Sequence, residues 1–115
     1  MNRDGSYLQH ILDCIQRIEE NLAEGRDHYL ANHTIQDAVL RNLQVLAESA
    51  KRLSEELKAT QPQVPWRQIG AFRNVLVHDY LGLDLEAIWN ITQEDLPGLK
   101  QAVHAMLEIL RGRRV

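Results

Sequence analysis

The chain has one cysteine, Cys14, so no internal disulfide can form and nothing points to an oxidising compartment. No stretch approaches the roughly 20 consecutive apolar residues that a bilayer crossing requires. The opening Met1-Asn2-Arg3-Asp4-Gly5-Ser6 is polar and lacks the hydrophobic run of a secretory signal. These absences predict a cytoplasmic protein with no membrane association. Positive charge is not in surplus either: thirteen Lys and Arg face sixteen Asp and Glu, for a net charge of -3. A protein that binds by coating a polyanion with charge is thereby disfavoured, although a local basic cleft is not. There is no period-two alternation of any useful length, no repeat, no low-complexity tract and no Gly-rich phosphate loop. The histidines are scattered. His28 and His33 lack matching acidic or thiol ligands, while His10 and His104 stand alone, so no four-ligand zinc pattern exists and no cofactor is expected.

What remains is helical patterning. Leu8, Ile11, Ile15, Ile18 and Leu22 recur at steps of three and four. So do Ile35, Val39, Leu43, Leu46, Ala50, Leu53 and Leu57, and again Leu96, Leu99, Val103, Met106 and Leu110. Each series puts one apolar stripe on a helix, and each stripe must be covered by another helix. Gly25 closes the first segment. The second is expected to start near Asp27 or Asn32 and to run to Lys58. Thr60-Gln61-Pro62-Gln63-Val64-Pro65 then interrupts, because two prolines so close together forbid a continuing helix, and Pro65 suits a first helical position. A shorter helix should follow from Trp66 to Val77 or His78, with Trp66 and Trp89 as core anchors. Gly82 allows a turn, Asp84 can cap a helix from Leu85 to Ile91, and Thr92-Gln93-Glu94-Asp95 resembles a capping box ahead of the last one. The expected fold is all-α, an up-down bundle of four or five helices forming a single domain over residues 1–115. The closing Arg111-Gly112-Arg113-Arg114 reads as a solvated helix end.

Chemistry concentrates in Arg73-Asn74-Val75-Leu76-Val77-His78-Asp79-Tyr80. On an ideal helix Asn74 and His78 lie about 40° apart, whereas Arg73 and His78 lie about 140° apart and flank one groove. Val75 and Leu76 fall on the opposite side and can anchor the helix. The plainest reading is a helix C-terminus whose Arg, Asn and His pair with carbonyls and the helix dipole.

Arg-x-x-x-x-His-x-Tyr, here Arg73, His78 and Tyr80, also resembles the signature of HEPN domains of the HepT toxin family. The resemblance extends to Glu48-Ser49-Ala50-Lys51-Arg52-Leu53-Ser54, to Val64-Pro65-Trp66-Arg67-Gln68-Ile69, and to Leu83-Asp84-Leu85-Glu86-Ala87-Ile88-Trp89 with Glu94-Asp95-Leu96-Pro97, covering roughly residues 5–110. Ser49 departs from the small apolar residue usual there.

The resemblance implies the toxin of a type VII toxin–antitoxin pair, a metal-independent endoribonuclease in which the RNA 2′-hydroxyl attacks its own phosphodiester. His78, whose ordinary pKa lies near 6.5, would handle the proton. Arg73 would stabilise the phosphorane charge. Asn74 would position the imidazole or donate to phosphate. Asp79 would orient His78 or sit solvated at the helix end. The resemblance further implies a homodimer that joins two motif helices in one cleft, for which Leu40 and Val45 offer surplus apolar surface. It implies an MntA-like minimal nucleotidyltransferase antitoxin that neutralises the toxin by AMPylating Tyr80. Tyr80 can equally be an amphipathic residue at the core edge. The competing function is a non-catalytic helical module that binds and assists a partner nucleotidyltransferase.

Overall fold

The computed structural model describes residues 3–72, 74 and 84–112. Among these there is no strand. The helices are α1 (Arg3–Asn21), α2 (Arg26–Ala31), α3 (His33–Lys51), α4 (Glu55–Lys58), α5 (Trp66–Gly70), α6 (Leu85–Asn90) and α7 (Leu96–Gly112), with a π-helical turn at Ile91–Asp95 between the last two. The all-α bundle expected from periodicity is therefore present. Its frame is the three long helices that carry the three stripes; the additional segments are short turns of helix.

The stripes bury as their spacing requires. Leu8, Ile11, Ile15 and Ile18 of α1 meet Val39, Leu43, Leu46, Ala47 and Ala50 of α3, and Leu99, Val103 and Met106 of α7 close the core. Each of these side chains is at most 2% exposed. Burial of a Leu or Ile side chain contributes about 1.5–3 kcal/mol, and this cluster dominates what holds the chain together. After α1, the Gly25 amide donates to the Leu22 carbonyl at 3.0 Å and Gly25 takes φ 95°, a conformation that favours glycine. The side chain of Asn32 caps α3 by accepting from the Ile35 amide at 3.2 Å, which selects Asn32 over Asp27 as its start.

The long second helix does not run unbroken to Lys58. It ends at Lys51, and the chain turns through Arg52 to Ser54 before α4. Asp4 of α1 causes the break to be well satisfied: its carboxylate accepts from the Ser54 amide at 2.9 Å and from the Ser54 hydroxyl at 2.8 Å. The same hydroxyl accepts from the Leu57 amide at 3.1 Å and caps α4. Leu53 and Leu57 remain buried, so the apolar pattern continues while the backbone changes direction.

The expected capping box at Thr92 is not formed. The Thr92 hydroxyl donates backwards to the Trp89 carbonyl at 2.6 Å, and the backbone passes from α6 through the π-helical turn into α7 without leaving a helical path. Pro97 lacks the amide that would bond one turn back, and a widened turn just before it accommodates that loss. Asp84, by contrast, caps α6 as expected, accepting from the Ala87 amide at 3.0 Å.

The short α2 holds α6 in place. The buried Tyr29 hydroxyl donates to the Leu85 carbonyl at 2.9 Å, its ring lies 5.5 Å from that of Trp89, and Arg26 pairs with Glu86. Burial, reinforced by the nearby Glu86 and Asp84 carboxylates, pushes the Tyr29 phenol up to about 12.

Candidate functional site

The connection after α4 is organised by Trp66, whose indole N–H donates to the Lys58 and Gln61 carbonyls at 3.2 and 3.1 Å. α5 starts at Trp66 as expected, with Pro65 standing just ahead of it rather than as its first residue. The helix is short. Ala71 adopts a turn, its amide bonding back to the Arg67 and Gln68 carbonyls, before Phe72 buries in the core and the Asn74 amide donates to the Ala71 carbonyl at 2.9 Å. The remainder of the helix expected to reach Val77 or His78 falls outside the described residues. So do Arg73, His78, Asp79 and Tyr80.

Asn74 is described, and it is exposed. It opens onto a cleft of about 500 Å³ between α3, α4 and α5, shared with Lys51, Glu55, Lys58, Trp66 and Arg67. Three cations against one carboxylate make this cleft locally positive on a chain of net charge -3. The cations are not equivalent. Lys58 is only 13% exposed and its ammonium lies 3.0 Å from Glu55. Lys51 and Arg67 are exposed and, among the described residues, in no ion pair. Gly70 closes the cleft between them, with the Lys51 stem lying directly over it. Pattern reading does not single out these cations. One signal was available: Arg67 and Asn74 are seven residues apart, a spacing that would put them on one face of the continuous helix expected from Trp66 to Val77 or His78.

A second cleft, of about 520 Å³, contains Tyr7, Arg41, Val45 and Arg52. Arg52 is held by Glu48 at 3.1 Å. The Tyr7 phenol is lowered, first by its hydrogen bond with Arg3 and then by Arg52, while desolvation opposes the shift. Asn74, the described residue of the Arg73–Tyr80 stretch, does not line this cleft. Leu40 and Val45 are half-buried against the core. His28 pairs with Glu24 at 3.1 Å, while His10, His33 and His104 are exposed. Among the described residues no helix is long and apolar enough to cross a membrane.

The described residues form an all-helical bundle with a cationic cleft that Asn74 helps to line, and comparison with known proteins assigns the class. The profile of the family "Ribonuclease HepT-like" matches residues 11–106, and the chain belongs to that family. The chain is 35% identical over 95 residues to the "Probable ribonuclease HepT" of Thermococcus cleftensis, covering 82% of this chain and 86% of that protein. It is 32% identical over 105 residues to the "Gamma-glutamylcyclotransferase and putative RNase" of Methanocaldococcus jannaschii, covering 90% of this chain and 47% of that protein. The chain thus spans about half the length of the latter relative. A "Putative RNase" of the same organism is 32% identical over 99 residues, covering 85% of this chain and 91% of that protein. No solved structure matches the chain.

Proposed function

We propose that the chain is an endoribonuclease that cleaves RNA without a metal ion, using Arg73 and His78, and serves as the toxin of a toxin–antitoxin pair. The observation that carries this reading is that the family match over residues 11–106 contains the whole Arg73–Tyr80 segment. In the reaction a base removes the proton from the RNA 2′-hydroxyl. The oxygen attacks the adjacent phosphorus, and the bond to the 5′-oxygen breaks as that oxygen gains a proton. The products are a 2′,3′-cyclic phosphate and a 5′-hydroxyl. His78 is the proton-handling group, since imidazole exchanges a proton near neutral pH. Arg73 carries the charge that builds on the phosphoryl oxygens, since its planar fork donates to two of them and stays protonated. Asn74 donates to phosphate from the wall of the cleft, and Asp79 orients the imidazole.

One histidine supplies one proton-transfer group, whereas the reaction needs a base and an acid. A homodimer that joins two motif segments provides both, and the half-buried Leu40 and Val45 supply apolar surface for such a partner. Tyr80 is the acceptor for AMP from a minimal nucleotidyltransferase antitoxin. The added phosphate sets a competing anion beside Arg73.

The test is cleavage of a defined RNA by the purified chain in excess EDTA, with end-group analysis of the products. Persistent cleavage with 2′,3′-cyclic phosphate ends is expected. Activity lost to EDTA and restored by magnesium or manganese would overturn the mechanism. A well-folded dimer that binds its nucleotidyltransferase but cleaves no RNA would instead support an assisting module.

A further inference from the structure

We infer that the cleft between α3, α4 and α5 seats a backbone phosphate of the RNA neighbouring the one that is cleaved, with Lys51 and Arg67 as its ligands. The inference rests on the ribonuclease reading and assigns that site a second, non-reacting contact with substrate. Four observations lead to it.

The first is charge: the cleft is locally cationic although the chain as a whole is acidic. A positive recess on a negative surface concentrates an anion where the surroundings repel it.

The second is availability. Lys58 is largely covered and neutralised by Glu55, so it serves the wall of the cleft. Lys51 and Arg67, exposed and in no ion pair among the described residues, are left to meet a ligand.

The third is preorganisation. The Lys51 stem crosses Gly70 so closely that a β-carbon there would stand 2.7 Å from Lys51 Cγ. Packing a lysine stem against backbone removes part of the rotamer freedom it would otherwise lose on binding.

The fourth is position. Asn74 lines the same cleft and directly follows Arg73, so a phosphate held here adjoins the motif. Trp66 supplies an aromatic wall whose N–H is already occupied by the Lys58 and Gln61 carbonyls. Its remaining offer to a ligand is the ring, which suits a nucleotide chain better than a bare inorganic anion.

The experiment uses a single-stranded 2′-O-methyl RNA of about ten nucleotides, within the span that stacking grooves of this kind hold. Such an RNA lacks the attacking hydroxyl, so binding is read separately from cleavage. Affinity is measured by fluorescence anisotropy over a series of salt concentrations. Lys51→Ala and Arg67→Ala are each expected to weaken binding roughly tenfold to a hundredfold, the range for losing one charge-assisted hydrogen bond. Each should also reduce the slope of log affinity against log salt by about 0.7, as expected for one fewer neutralised phosphate on a single strand. Lys100→Ala and Arg111→Ala, which remove exposed cations of α7, should leave both quantities at the wild-type value. In cleavage assays the cleft variants should raise KM more on long RNA than on a dinucleoside monophosphate, whose single phosphate is the one cleaved. Because both side chains are exposed, circular dichroism should show intact helix. Wild-type affinity and salt slope in both cleft variants would overturn the inference while leaving the ribonuclease reading intact. Failure of the wild-type chain to bind the oligonucleotide would also overturn it. Normal binding with the expected losses, but no cleavage of ordinary RNA by the wild type, would sink the ribonuclease reading and keep the cleft.

Discussion

The stem of Lys51 lies across Gly70, placing Lys51 Cγ 2.7 Å from where a β-carbon on residue 70 would stand. This contact joins the end of α3 to α5 and fixes one wall of the cationic cleft. Gly70 takes no left-handed conformation, so its backbone accepts alanine and only the side-chain space is at issue.

Gly70→Ala should therefore act through Lys51. The added methyl displaces the stem at its root, where little flexibility is available, and the cost should be about 1–3 kcal/mol, as for overpacking elsewhere. Chemical denaturation checks the stability, and oligonucleotide binding checks the accompanying loss of affinity. Unchanged stability together with unchanged binding would show that Lys51 can leave Gly70 freely.

Tyr29 gives the fold an alkaline limit. Burial raises its folded pKa to about 12 from 10.0. Between those values the folded chain keeps a proton that the unfolded chain has lost. The resulting stability is complete below pH 10 and disappears as pH rises to 12. Tyr29→Phe should cost about 1 kcal/mol near neutrality, from loss of the bond to the Leu85 carbonyl. That deficit should narrow as pH rises through this window. A constant deficit across the alkaline range would contradict the assignment.

Much of this architecture is legible in the sequence, because the three long helices owe their existence to stripes whose spacing is local. Asn32 and Asp84 were equally readable as caps, since their side chains bond to amides three residues on. The break after Lys51 was not readable. Leu53 and Leu57 preserve the helical spacing across it, and the contact that favours it, Asp4 with Ser54, joins residues 50 apart. Thr92 misled for a chemical reason: a threonine hydroxyl can cap a helix forwards or bond to a carbonyl behind it, and here it does the second. At the candidate site, Asn74 could be singled out within its own short segment. Lys51 and Lys58 could not, because they reach the cleft from α3 and α4.

Tyr80→Phe should separate the proposed toxicity from its proposed control. The substitution keeps the ring and removes the oxygen that would accept AMP. The variant should remain an active ribonuclease and escape silencing by the partner nucleotidyltransferase. Mass spectrometry after incubation with partner and ATP should place one AMP on Tyr80 of the unsubstituted chain. Modification of Tyr7 or Tyr29 with Tyr80 untouched would refute the assignment.

A composite site predicts rescue between inactive chains. Arg73→Ala and His78→Ala chains, each inactive alone, should regain a small part of their activity when mixed, because the heterodimer retains one Arg73 and one His78 and water can stand in, at a slower rate, for the missing acid or base. Subunit exchange can be verified with distinct affinity tags. Verified exchange without any recovered activity would place each working site within one chain.

The central claim is that His78 performs proton transfer in a reaction needing no metal. The most direct measurement is the single-turnover cleavage rate of the purified, unmodified chain and of His78→Ala, both in EDTA and both shown by circular dichroism to be folded. The account predicts cyclic-phosphate products from the unsubstituted chain, a rate that follows an ionisation near neutral pH, and a loss of at least about a hundredfold in the variant. Equal rates from the two folded chains would contradict it.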